Sequence, residues 1–162
     1  MFNSLEMVAV SQFGFNHDNP LESRRKASLV FERALRRGKA RSFWSRIIGG
    51  DNHLRDMGRI SQVATPRPAQ CMGVVNIPLA KIVGSENRVS DFDNTFNPLN
   101  EHNRDRWINI ALTRRNGASL PPVELIQVGE EYYVRDGHHR ISVAKAANQT
   151  EIEARIAFVL DI

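Results

Sequence analysis

Val134-Arg135-Asp136-Gly137-His138-His139-Arg140-Ile141-Ser142-Val143-Ala144 is the stretch on which the reading of this chain turns. Tyr132-Tyr133-Val134 is aromatic and β-branched and favours a strand. Ile141, Val143, Ala144, Ala146 and Ala147 suit a buried helix. Asp136 stands where a helix N-cap is expected, its carboxylate available to the amides two and three residues on. Gly137 permits a turn or a close backbone approach. The first-turn amides, the helix dipole and Arg140 then form a positive cup of the kind that holds phosphate.

Working outward, Val123-Glu124-Leu125-Ile126-Gln127-Val128 pairs with residues 131–135 as a hairpin turning at Gly129-Glu130. A helix is expected from about 99 to 115, with Trp107, Ile108, Ala111 and Leu112 inward and Asn116-Gly117 as its stop. Upstream lie a strand at 74–78 and a turn or short strand at 79–84. The loop 89–98 carries Asp91, Asp93, Phe92 and Phe96. A last strand runs from 152 to 160. Strand, helix, hairpin, helix, strand make a compact α/β (α+β) domain, with a small mixed sheet and flanking helices.

With 162 residues, 41% apolar and 25% charged, the chain has ordinary globular composition. Its charge is uneven, with twelve Lys/Arg against six Asp/Glu in residues 1–70 and ten against twelve in the rest. A basic segment of this kind suits nucleic acid, acidic lipid or an acidic partner. Within it, Ala27, Val30, Phe31, Ala34 and Leu35 follow helical spacing over 21–37, and Gly38 is expected to interrupt the helix. A second short helix carries Phe43, Trp44, Ile47 and Ile48 up to Gly49-Gly50. Those side chains demand burial on the later domain or on a partner, which argues against a DNA-recognition helix. The Pro-containing connector 51–71, including Thr65-Pro66-Arg67-Pro68, disfavours helix. The division is thus a helical extension over 1–70 and a second domain over 71–162. No run approaches the ~20 apolar residues that span a bilayer, so no membrane partner is expected. Met1 to Glu6 lacks the features of a signal peptide. The lone Cys71 fits a reducing cytoplasm and chemical inertness.

Residues 74–158 resemble the ParB/sulfiredoxin superfamily. The resemblance is carried by Ile77-Pro78-Leu79-x-x-Ile82, Glu86-Asn87-Arg88, Leu120-Pro121-Pro122-Val123, the Gly-Glu hairpin and Asp136-Gly137-His138-His139-Arg140. It implies a nucleotide-handling fold. Partition proteins of the ParB type carry Gly-Glu-Arg-Arg in the corresponding loop and bind and hydrolyse CTP. Sulfiredoxins carry Gly-Gly-Cys-His-Arg, bind ATP and use the cysteine. Here His138 takes the cysteine position and Cys71 lies far upstream, which speaks against sulfiredoxin activity. Free serine kinases of the superfamily carry the Asp-Gly-His-His-Arg loop letter for letter. That similarity implies ATP, ADP or CTP with Mg²⁺, and Asp136 and His139 near the phosphates. Glu86 is the counterpart, by order, of their catalytic carboxylate. Gly137, His138, His139, Arg140 and Arg88 are the implied ligand-binding residues. The expected function is nucleotide binding, with phosphoryl transfer to a small hydroxyl-bearing substrate, or NTP hydrolysis, as its enzyme reading and catalysis itself left open. The alternative is a ParB-like regulatory or partition module whose basic N-terminal helices touch DNA or an acidic partner.

The residues themselves leave several roles open. Asp136 suits either a helix cap or a Mg²⁺ ligand. His138 and His139 splay by about 100° on a helix, so one faces a ligand while the other packs or bonds back to the loop. They lack the i,i+4 spacing of a helical zinc pair. Glu86-Asn87-Arg88 reads equally as a polar turn or a phosphate contact. Asp91 and Asp93 suit a metal site or a solvated loop. Ser142 has no evident activating base, and Trp107, Phe92 and Phe96 read as core.

Overall fold

The computed structural model describes residues 19–59, 65–69 and 73–161. Cys71 and the first six residues lie outside these. A seven-stranded mixed sheet is built from β1 (Arg55–Asp56), β2 (Thr65–Pro68), β3 (Val75–Pro78), β4 (Ile82–Ser85), β5 (Val123–Val128), β6 (Glu131–Asp136) and β7 (Glu151–Asp161). Its path is β1-β4-β6-β5-β7-β2, and β3 pairs with the start of β7 beside β2. The β5–β6 hairpin is antiparallel, whereas β4 runs parallel to β6 and β5 parallel to β7. The α/β architecture with a mixed sheet and flanking helices is therefore present. Two pieces of the Pro-containing connector, β1 and β2, belong to the sheet.

Alternation along β5 divides the interior. Val123 and Leu125 face a core with Ile77, Ile82, Phe92, Val134, Ile141 and Ala154, while Ile126 and Val128 face Met57, Tyr133 and Leu160. Gly84 permits the tightest strand contact, since a Cβ there would lie 2.4 Å from the Arg55 carbonyl and the Tyr133 ring. Three helices, α1 (Pro20–Ile48), α2 (Arg104–Arg115) and α3 (His138–Ala146), share a third cluster. Phe31 meets Trp107 edge-on at 5.5 Å, and Trp107 Nε1 donates to Ser142 Oγ at 2.9 Å, joining α2 to α3. Ser142 is thus a packing hydroxyl.

Three local expectations are corrected. First, the basic segment forms one continuous helix of 29 residues, started by Asn19 and Pro20 and stopped at left-handed Gly49. Gly38 does not break it. It is buried, and a Cβ there would approach the Pro98 carbonyl to 2.7 Å, so glycine is used for close packing against residues 97–99. Second, of the two burial sites expected for Phe43, Trp44 and Ile47 the domain is not used, since they are 58–60% exposed, and the expectation of a partner stands. Third, residues 99–103 precede α2 as turn rather than helix.

Candidate functional site

Because β4 and β6 are parallel, with Ser85 opposite Val134, their C-terminal ends deliver two polar segments to one place. Ligands in open α/β sheets bind outside such strand ends. From β4 comes Glu86-Asn87-Arg88, with the Glu86 amide bonded to the Val134 carbonyl at 3.0 Å. From β6 comes Asp136-Gly137-His138-His139-Arg140. The link between them is buried. Ser85 Oγ lies 2.7 Å from His138 Nε2 and also accepts from the amides of Asn87 (3.2 Å) and Arg88 (3.0 Å). With both lone pairs occupied, the hydroxyl donates its proton to Nε2, so His138 carries its own hydrogen on Nδ1. His138 is the ring that bonds back to the loop.

Gly137 makes the strand-to-helix turn at φ 104°, and a Cβ there would meet Val123 Cγ1 at 2.5 Å. This placement corrects the reading of Asp136 as the helix cap. Asp136 is still in β6, paired with Glu124, and Gly137 is the N-cap residue, so no side chain caps α3. The Asp136 carboxylate instead accepts from Arg140, one turn along. Arg140 is correspondingly committed: its Nη1 donates to the carbonyls of Pro121 (2.5 Å) and Pro122 (2.7 Å). It fastens the motif to the turn that enters β5.

His139 has a different environment. Its ring is buried, and neither Nδ1 nor Nε2 has a hydrogen-bond partner. Such an orphan costs about 1–3 kcal/mol in an interior and calls for an explanation. The Phe92 ring stacks on His138 (6.1 Å, 15°) and meets His139 edge-on (5.2 Å, 67°), fixing both imidazoles. Burial pushes His138 down to about 4, with Arg88 and His139 adding to the effect. Burial likewise pushes His139 to about 4, assisted by the positive charges of Arg106 and Arg88. Both rings are neutral near pH 7, so each retains one N–H donor and one acceptor nitrogen.

Arg88, Arg106, Ile110 and the motif residues line a small cavity of about 40 Å³ at the start of α3. A larger open cavity of about 540 Å³ lies across Arg140, rimmed by Arg114, Gln149, Glu151 and Glu153. There Arg114 and Arg140 are balanced by Glu151 and Glu153, whereas the small cavity sets Arg88, Arg106 and Arg140 against Asp136 alone, so the electropositive end is the smaller one. Arg88 is held by Asp91 at 3.2 Å. Glu86 stays half exposed with Arg135 Nε 3.9 Å away.

The neighbouring acidic loop departs from both of its readings. Asp93 is fully buried and accepts from the amide and hydroxyl of Thr95 and from the amide and side chain of Asn97, at 2.8–3.0 Å. Arg41 Nε of α1 lies 3.4 Å from it. The carboxylate shapes the loop that presents Phe92 and is neither solvated nor grouped for a metal. Among the described residues no three His, Cys, Asp or Glu side chains cluster as metal ligands. Ser85 and Arg106 were missed by sequence reasoning. A serine ending a strand and an arginine in a basic helix carry no local signal, and Ser85 stands 53 residues from the histidine it orients.

No protein-family model matches the chain, and no curated protein matches it. Among solved structures it is similar to the crystal structure of sulfiredoxin from Arabidopsis thaliana, with 21% identity and a TM-score of 0.40, over 52% of this chain and 83% of that one.

Proposed function

We propose that the chain binds a nucleoside di- or triphosphate through its phosphates at the start of α3, and that it serves phosphoryl transfer or nucleotide hydrolysis. The observation that carries this reading is His139, a buried neutral imidazole without a partner beside uncapped helix amides. A phosphate oxygen there would accept from the imidazole N–H and from first-turn amides, in the field of the helix dipole. Arg88 and Arg106 supply the flanking positive charge. The Asp-Gly-His-His-Arg loop shared with free serine kinases favours the same ligand class. Asp136 is the one motif carboxylate available to Mg²⁺, which usually takes one or two protein carboxylates and completes its shell with phosphates and water. When bound, that cation would neutralise charge on the transferred phosphoryl group. Glu86, at the same sheet end, is the candidate for orienting a hydroxyl acceptor.

Calorimetric titration with ATP, ADP and CTP, each with Mg²⁺, tests the reading. At least one should bind, and His139→Ala should weaken binding at least tenfold while leaving the circular dichroism spectrum intact. Absence of binding by all three overturns the proposal. For the catalytic part, labelled phosphate should leave the nucleotide for water or a small alcohol, and Asp136→Asn should abolish that turnover.

A further inference from the structure

Among the described residues, half of the exposed large apolar side chains gather on the outer side of the C-terminal part of α1. Phe43, Trp44, Ile47 and Ile48 are 60%, 58%, 60% and 79% exposed, and the first two rings touch edge-on at 5.9 Å. These residues do not continue the face that packs on α2 and α3. At about 100° per residue, they centre roughly 150° around the helix from Ala27, Phe31, Ala34, Leu35 and Gly38. Lys39 to Glu101 (3.5 Å) and Arg41 to Asp93 (3.4 Å) fasten the middle of α1 to the domain, which fixes the apolar strip outward. Arg36 and Arg37 lie one to two turns before the strip on the same outer side, and Arg46 borders it. Residues 33–50 contain no Asp or Glu.

We infer that this strip seats the protein on an anionic lipid surface, with Phe43, Trp44, Ile47 and Ile48 entering the headgroup boundary and Arg36, Arg37 and Arg46 meeting lipid phosphates. Apolar side chains bordered by cations, with tryptophan among them, match the two layers of such an interface. A second copy of the chain would bring like charges together across the strip. A nucleic-acid backbone would engage the arginines but leave Ile47 and Ile48 in water. No helix among the described residues is long and apolar enough to cross a bilayer. Lying on one requires only the exposed strip. The inference departs from the sequence expectation of no membrane partner, which rested on the lack of a spanning segment.

The full chain should co-sediment with phosphatidylcholine vesicles containing phosphatidylglycerol, and not with phosphatidylcholine alone. Tryptophan emission should shift to the blue, reporting Trp44, because Trp107 is already buried. Replacing Phe43, Trp44 and Ile47 with serine should abolish binding. Changing Arg36, Arg37 and Arg46 to glutamine should weaken it about a hundredfold, near fivefold per arginine. These positions are exposed, so the fold is retained. No binding to anionic vesicles overturns the inference, as does binding that survives the serine variant. Duplex DNA binding without vesicle binding, or a dimer that shields Trp44, also overturns it.

Discussion

Acidification offers a quantitative test of the two buried imidazoles. Burial lowers both folded-state values from 6.5 to about 4, so between those limits the unfolded chain binds more protons than the folded one. Their contribution is therefore fully present above 6.5 and is lost progressively as pH falls towards 4. At pH 5 the linkage relation gives a loss of about 2 kcal/mol for each ring, or ~4 kcal/mol for the pair. That is a large share of a typical domain stability of about 5–15 kcal/mol. Most carboxylates titrate below this window, so histidine dominates it. Urea unfolding at steps from pH 7.5 to 5 measures the effect, and His139→Gln should reduce the slope by about half. A stability that stays level across the window would refute the assignment of both rings as buried and neutral. A slope unchanged in the variant would refute it for His139.

Two glycines carry further predictions. Gly137→Ala combines a left-handed backbone with a contact 2.5 Å from Val123 Cγ1, and should cost about 2–5 kcal/mol in urea unfolding. It should also weaken nucleotide binding by shifting the start of α3. Gly38→Ala would ordinarily gain about 0.5–1 kcal/mol inside a helix. Here the Pro98 carbonyl 2.7 Å away reverses the sign, giving a loss of about 1–3 kcal/mol. A stabilised variant would contradict the packing of α1 on residues 97–99.

The legible part of this molecule is its periodic part. Alternation marked the β5–β6 hairpin and the last strand, and small apolar residues after the motif marked α3. Gly38 was misread because a helix interrupted by glycine and a helix packed closely at glycine look alike until the neighbour is known. Asp136 was misread by one position, since β6 continues through it and only the backbone at Gly137 starts the helix. The polar run at 136–140 stood out as a candidate site. The division of labour within it was not, because it depends on contacts distant in sequence. Ser85 takes His138, the Pro121 and Pro122 carbonyls take Arg140, and His139 is left over. Asp93 appeared to be a loop carboxylate, and its burial follows from the Thr95 and Asn97 donors that wrap it.

If phosphate reaches His139, a nuclear magnetic resonance titration of the histidine ring signals reports it, with His139→Gln supplying the assignment. Addition of the Mg²⁺ nucleotide should move the His139 resonances and raise its titration midpoint above about 4, since a nearby anion favours the charged ring. His138, bonded to Ser85, should move less. A nucleotide that binds while the His139 signals and midpoint stay in place would put its phosphates away from His139.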